Sequence, residues 1–415
     1  MRSRPAAFAW CLYDWANSAF PTVVSTFVFA TYFTEAVAAD RATGTSLWGV
    51  AAAISGVMIA LLSPPLGAIA DSGGARARML TLFTTITVFA TAALWFVTPH
   101  PDSAMLAVLL VIVATAAFEL ATVFYNAMLP AVAEPRHIGR LSGLGWGFGY
   151  FGGLACLLVA LFVLIRPNPA PFGLDRDAAE HVRACMLLVA LWIAAFAWPA
   201  CTLIPERGPR RPWRLAVANG IAEIVTLIRR LPRSPALARF LIARLFYTDG
   251  LNTLFAFGAI YAAGKFGMTT EQVLIFGIGL NVTAGLGAAG FALIEDRIGA
   301  RATVLIALAG LMLLGAGLLV VEGQTSFWVL GLPIGIFMGP AQAASRSLMA
   351  RMAPPGEESA HFGLFALSGR ITAFAGPAVL AATVAATGSQ TAGMATVLLF
   401  LGVGAAILMT VRPPP

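Results

Sequence analysis

The sequence predicts an all-α integral membrane protein of about twelve transmembrane helices, arranged as two six-helix pseudo-symmetric bundles. Three observations predict it: the composition, the spacing of the apolar runs, and two motifs that recur in register. Of 415 residues 59% are hydrophobic and only 11% charged, with a mean hydropathy of +0.85. An ordinary soluble protein carries about 25% charged residues, so a water-soluble globular enzyme is excluded. Crossing the hydrocarbon core takes about 20 helical residues, and about twelve such spans use most of this length.

The spans follow in order. Arg2 and Arg4 could open a signal peptide, but the apolar stretch behind them is too long and carries Asp14 and Asn17, so it reads as a retained first helix. Apolar runs fall near 8–33, 47–70, 79–97, 104–129, 141–165 and 184–203, then near 241–261, 273–294, 302–321, 327–348, 362–385 and 392–409. A polar stretch separates the two sets. The expected organisation is therefore a bundle at 1–204, a linker at 205–236 and a second bundle at 237–415. Within the linker Val217, Ile221, Ile224, Ile228 and Leu231 alternate at four and three spacing opposite Asn219, Glu223 and Arg230, the pattern of an amphipathic helix lying on the membrane surface.

Orientation comes from the arginines, because short cytoplasmic loops carry an excess of them. Arg2, Arg4, Arg76, Arg78, Arg136, Arg140, Arg297, Arg301, Arg351 and Arg412 fall on the side of the linker, which adds Arg207, Arg210, Arg211, Arg214, Arg229, Arg230 and Arg233. The other side has only Arg41, Arg166, Arg176, Arg183 and Lys265. Both termini are thus expected in the cytoplasm and the chain in the inner (plasma) membrane. The net charge of +7 is a topology signal, and a nucleic-acid partner is not expected. Lys265 is the only lysine, a hint of a high-GC bacterial genome.

The halves repeat. Asp71-Ser-Gly-Gly74-Ala-Arg76 and Asp296-Arg-Ile-Gly299-Ala-Arg301 are both DxxGxR, each after the second span of its half. Asp14-Trp-Ala-Asn17-Ser18-Ala-Phe20 and Asp249-Gly-Leu-Asn252-Thr253-Leu-Phe255 are both DxxN[ST]xF, each in the first span of its half. Two motifs repeated in register point to duplicated six-helix units. The stretch from Gly67 through Asp71, Gly74 and Arg76 to Arg78 resembles the signature loop of the major facilitator superfamily, with Ala75 where a basic residue is usual. The resemblance implies the major facilitator fold, with this loop as a cytoplasmic latch made of Gly67, Asp71, Gly74 and Arg76, and Asp296, Gly299 and Arg301 in the other half.

A narrower resemblance covers most of the chain. Trp10-Cys-Leu-Tyr13-Asp14-Trp15-Ala-Asn17-Ser18-Ala-Phe20 is similar to the opening signature of the vacuole effluxer family, the autophagy-related amino-acid effluxers and their bacterial relatives. Phe124-Tyr125-Asn126-Ala-Met-Leu-Pro130, the glycine-rich 142–153, Tyr247-Thr-Asp249-Gly250, Gln342-Ala-Ala-Ser345-Arg346-Ser347-Leu348 and Ser368-Gly369-Arg370 extend it in order. It implies membrane transport, with amino-acid export in the fungal branch and an open cargo among bacterial relatives.

Ionisable groups inside a membrane are costly and face an aqueous path or a partner. The substrate or proton candidates are Asp14, Asn17, Glu119, Asn126, Asp249, Asn252, Gln342 and Arg346, with Arg244, Arg370 and Asn281 also within spans. Asp14 with Asn17, and Asp249 with Asn252, each share a helical face and are expected to wall one cavity. Glu119 is either a proton or substrate site or a buried partner for Arg346 or Arg370. Arg346 either reads a carboxylate with its forked guanidinium or, the slightly preferred reading from its place near a helix end, latches Asp71. The glycines of 143–153 give overlapping GxxxG spacing, chiefly for close packing. Pro64, Pro65 and Pro340 are expected to break or kink their helices. Trp10, Trp15 and Trp146 read as cargo stackers or interfacial anchors.

A secondary transporter follows, moving a small polar solute by alternating access, with an amino acid as one cargo, export as one direction and protons as the coupling partner. No phosphate-cradling loop occurs. His100, His137, His181 and His361 lie at loops or span ends without paired spacing, and Cys11, Cys156, Cys185 and Cys201 likewise, so no enzyme, cofactor, metal or disulfide is expected. A transporter-shaped sensor or scaffold is the alternative. The expected partners are the solute, protons and the lipid bilayer, and a monomer is favoured.

Overall fold

A computed structural model describes residues 4–204 and 212–412, so Arg2, Arg207, Arg210 and Arg211 of the orientation tally lie outside the described residues. The first half comprises α1 (Arg4–Val37), α2 (Arg41–Gly73), α3 (Arg76–Phe96), α4 (Pro101–Val132), α5 (Pro135–Ile165) and α6 (Glu180–Leu203). The linker helix is α7 (Trp213–Arg230). The second half comprises α8 (Pro235–Phe266), α9 (Thr270–Ile298), α10 (Ala300–Val320), α11 (Gln324–Met352), the short pair α12 (Glu358–Ser368) and α13 (Ala375–Thr387), and α14 (Gln390–Met409).

Among the described residues 10 helices are long and apolar enough to cross a membrane. The two remaining apolar runs of the sequence are α8, whose Arg239, Arg244 and Asp249 dilute its hydropathy, and the α12–α13 pair, which is interrupted at 369–374. The duplicated all-helical arrangement is the one expected. Helix ends are closed locally. Asp40 accepts from Thr43 N at 2.9 Å and Thr43 Oγ1 at 2.7 Å, bonds that cap α2 and hold its carboxyl below the usual range. Gly74 ends the same helix at φ +57°, a conformation open to glycine without a Cβ penalty.

Pro64 and Pro65 do not break α2, nor Pro333 and Pro340 α11, each of which runs unbroken through them. In a membrane bundle neighbouring helices re-satisfy the backbone groups a proline frees. The wide π-type turns of α1 fall instead at Phe20–Phe27, beginning beside Pro21, and at Phe33–Val37.

The glycines of α5 serve two neighbours at once. A Cβ on Gly145, Gly149 or Gly152 would strike α1, at 2.7 Å from Asp14 Oδ2, 2.7 Å from Ser18 Oγ and 2.3 Å from Trp15 O respectively. A Cβ on Gly143 would lie 2.7 Å from Ala288 O of α9. Helix α5 is thus wedged between its own half and the other, and every hydrogen bond between the halves among the described residues lies at the central cavity or toward the face that carries the linker.

Candidate functional site

A cavity of about 300 Å³ lies between the halves, and a second of about 460 Å³ continues from it toward the face opposite the linker. Both share Ser18, Pro21, Trp146, Gly149 and Phe255 as wall residues. The first is the polar one. The second is mostly apolar and meets Asn281, whose amide donates to Gly277 O of its own helix at 2.8 Å.

Helices α1, α4 and α5 build one wall and α8, α11 and α12 the other. Arg346 of α11 is the most heavily bonded group. Its Nη1 donates to Asp14 Oδ2 at 2.9 Å and Asn126 Oδ1 at 3.3 Å, its Nε to Ser142 Oγ at 2.9 Å and its Nη2 to Ser142 O at 2.7 Å. Trp10 lies 4.5 Å beneath the guanidinium and is stacked on Tyr125 at the same separation. With the side chain 3% exposed and its fork committed to the first half, Arg346 is a cross-half rivet more than a free receptor for a carboxylate. It does not reach Asp71, so the slightly preferred latch reading is corrected. Trp10 is neither cargo stacker nor surface anchor, since it is fully buried under this arginine.

Arg370 and Glu119 form the second cross-half ion pair. Both line the cavity, with side chains 36% and 22% exposed. Glu119 thus has Arg370, not Arg346, as its partner. Asn17 donates to Thr122 Oγ1 at 3.2 Å, Gln342 donates to Tyr150 Oη of the other half at 3.2 Å, and Asn252 faces the cavity without a side-chain hydrogen bond.

Asp249 departs from the expected wall. Asp14, Asn17 and Asn252 line the cavity, but Asp249 is 2% exposed and turned behind it, where Oδ2 accepts Gly376 N at 2.9 Å. The cause is the interruption between α12 and α13, which strips the first N–H groups of α13 of helical partners. A carboxylate is a fitting cap there. Arg244, five positions earlier on α8, donates to Phe365 O and to Ser368 Oγ, so it caps the end of α12. One helix supplies both caps of the break.

On the linker face Asp71 accepts Ser359 N at 3.1 Å and Ala360 N at 2.9 Å, the first turn of α12, while Arg76 bridges Asp71 and Glu358. Asp296 does the same to α5, accepting Gly139 N at 2.9 Å and Arg140 N at 3.0 Å. Gly67 makes the first contact close enough, since a Cβ there would lie 2.2 Å from Ser359 O. The repeat is not symmetric throughout. Gly299 turns the loop at φ +89° as Gly74 does, but Arg301 donates to Leu408 O and Met409 O at the end of α14, and Arg351 takes its place beside Asp296 at 3.0 Å. Sequence reasoning missed Glu358, Arg351, Ser142 and Glu295. Backbone N–H donors leave no trace in residue type, and the charges of Glu358, Glu295 and Arg351 were the available signal.

Comparison with known proteins bears on the family and the fold. The family model described as vacuole effluxer Atg22 like matches residues 36–413. An uncharacterized MFS-type transporter of Bacillus subtilis is 27% identical over 96% of this chain and 93% of its own length. An autophagy-related protein 22 of Cryptococcus neoformans is 25% identical over 65% of this chain and 49% of its own, so the chain spans about half the length of that fungal relative. Among solved structures, a major facilitator proton:xylose symporter superposes with TM-score 0.75 at 12% identity, covering 99% of this chain and 96% of that one. A bacterial homologue of the iron transporter ferroportin, in its outward-facing state, gives 0.71 at 12% over 99% and 98%. These likenesses show the major facilitator fold.

Proposed function

From the match over residues 36–413 this chain belongs to the Atg22-like vacuole effluxer family, and from that membership we propose that it is a secondary transporter whose cavity carries a zwitterionic solute of amino-acid type, coupled to protons. The transporter class and the membrane setting rest on the family and fold. The cargo rests on one observation, the Arg370–Glu119 pair that lines the cavity with one charge from each half. An α-carboxylate matches the fork of Arg370 and an α-ammonium matches Glu119, so a zwitterion enters by replacing each partner of the pair. Splitting the pair frees the halves to rock, with Arg346–Asp14 as the deeper tie that reforms in each cycle. Glu119 and Asp14 are the proton carriers in this reading, because a carboxylate that alternates between an arginine and an open cavity alternates in its proton affinity.

The moving bodies are the bundles at 1–204 and 237–415, joined by the linker at 205–236. The arginine excess on the linker side supports cytoplasmic termini, and the plasma membrane is the membrane of this reading. One chain encloses the whole cavity, so a monomer suffices. The closed linker face is then the cytoplasmic gate, and the family description as effluxers supports export.

The test is reconstitution in liposomes with a screen of labelled amino acids under an imposed pH gradient. The expected result is gradient-dependent flux of at least one amino acid, abolished in Glu119→Gln and uncoupled from the gradient in Asp14→Asn. Flux that ignores both the gradient and Asp14→Asn removes the proton from the account.

A further inference from the structure

Glu295, on the last turn of α9, is a carboxylate buried where the halves meet on the linker face, with 1% of its surface exposed. It immediately precedes Asp296 of the repeated DxxGxR, and the same register in the first half holds Ala70. The fold at this place therefore needs no acid. Its carboxyl lies against the first turn of α5 from the other half, since a Cβ on Gly139 would come within 2.6 Å of it.

Burial leaves a negative charge on Glu295 without an ion-pair partner of its own, and the two arginine charges that favour it are engaged elsewhere. Its own helix adds Asp296, a second acid. Helix α11 brings the charges of Arg346 and Arg351 near, but Arg346 donates to Asp14 and Ser142, and Arg351 donates to Asp296 and Pro135 O while its Nε bonds to nothing, Glu295 included. Helix α5 brings Gly139, whose N–H already goes to Asp296. Among the described residues Glu295 makes no ion pair, and the hydrogen bond it does make is to the Ser347 hydroxyl.

That hydroxyl can accommodate a protonated acid. Ser347 Oγ lies against both Glu295 Oε1 and, at 3.1 Å, Ala344 O of its own helix. Both are acceptors when the acid is ionised, and a hydroxyl has one proton to give. If Glu295 carries a proton, its O–H donates to Ser347 Oγ and the serine proton goes to Ala344 O, and every group is satisfied.

We propose that Glu295 is a proton-binding site of the gate itself, neutral when the linker face is closed and ionised when it is open, so that closing this face takes up one proton and opening it releases one. The proton comes from and returns to the solution on the linker face, and no other covalent bond changes. This site lies apart from the cargo cavity, whose walls do not include Glu295. The inference rests on the reading that the halves alternate, but not on the cargo or on coupling through Glu119.

The sign follows from linkage. The closed form binds the extra proton, so it is favoured at low pH and gives way as pH rises, by at most about tenfold in the closed-to-open ratio per pH unit. Spin labels at Arg136→Cys and Arg297→Cys, exposed residues of opposite halves on this face, in a Cys201→Ser background, read the separation by pulsed electron resonance without cargo. As pH rises above about 4.3, the ordinary value of an exposed glutamate, the wild-type distribution should move from short to long, while Glu295→Gln stays short throughout. Ser347→Ala, which removes the acceptor of the neutral acid, should move the midpoint to lower pH. A wild-type distribution that ignores pH, a Glu295→Gln that follows pH as wild type does, or a Ser347→Ala midpoint that stays in place overturns the proposal. A pH response lost in Glu119→Gln but kept in Glu295→Gln also overturns it, by placing the proton in the cavity. None of these outcomes bears on whether the liposomes carry flux.

Discussion

Arg346 and Arg370 are the same residue type at two depths, and burial separates their roles. The first is closed in by Trp10 and Asp14 with its fork engaged; the second stands half open beside Glu119. Breaking a buried ion pair by removing one partner costs about 3–5 kcal/mol, so Asp14→Ala should markedly lower the thermal unfolding temperature of the detergent-solubilised protein. Arg346→Lys should do so too, because an ammonium cannot reproduce the fork to Asp14 and Ser142. Glu119→Gln breaks a pair that water reaches, worth about 0–1 kcal/mol, and should leave that temperature nearly unchanged while abolishing flux. Thermal scans of the three variants in one detergent check this ordering. The sequence named Asp14, Asn126, Glu119 and both arginines as groups needing a partner, because their cost in lipid is a property of residue type. It did not reveal which arginine meets which acid. Pairing across the halves is set by packing, and the choice of Arg346 for Asp71 used closeness to a helix end, whereas the N–H groups of α12 satisfy that aspartate.

At the scale of elements, the break between α12 and α13 organises the second half. The apolar run 362–385 reads as one span because hydropathy does not register the backbone, yet Arg244 and Asp249 of α8 cap the two sides of a gap at 369–374. One signal was present. Pro377 sits in the first turn of α13, where a proline is tolerated because its missing N–H is not needed. The repeat of Asp249 with Asn252 suggested a second wall like that of Asp14 with Asn17, and the cap won instead. Gly376 makes the cap possible, since a Cβ there would lie 2.2 Å from Thr253 Oγ1 and 3.1 Å from Asp249 Oδ1. Gly376→Ala should therefore destabilise by about 1–3 kcal/mol, the usual cost of overpacking. Adding Thr253→Ala should recover part of the loss, a coupling that a double-mutant cycle of unfolding temperatures reads directly.

For the whole molecule, two aspartates tie the halves on one face. Asp71 of the first half caps α12 of the second, and Asp296 of the second caps α5 of the first. The duplication of DxxGxR made this much legible, and the fold with it. Where the copies diverge, at Arg301 and at Ala70 against Glu295, only packing shows the consequence. A wedge at the closest approach should open this face. Gly67→Leu puts a side chain where Ser359 O already lies, and it should raise thiol labelling of a cysteine placed at the buried Ser142 from the linker side, relative to the same cysteine with Gly67 intact.

The central claim is that the Arg370–Glu119 pair reads both charges of a zwitterion. Counterflow in proteoliposomes, using the amino acid returned by the screen, tests it most directly when competed by the amine lacking its carboxylate and by the acid lacking its amine. The account predicts that both analogues compete at least about tenfold less well, as expected when a charge-assisted bond worth about 1.5–3 kcal/mol is lost. It further predicts that Arg370→Gln erases the discrimination against the amine alone. Equal competition by either analogue in the wild-type protein would contradict it.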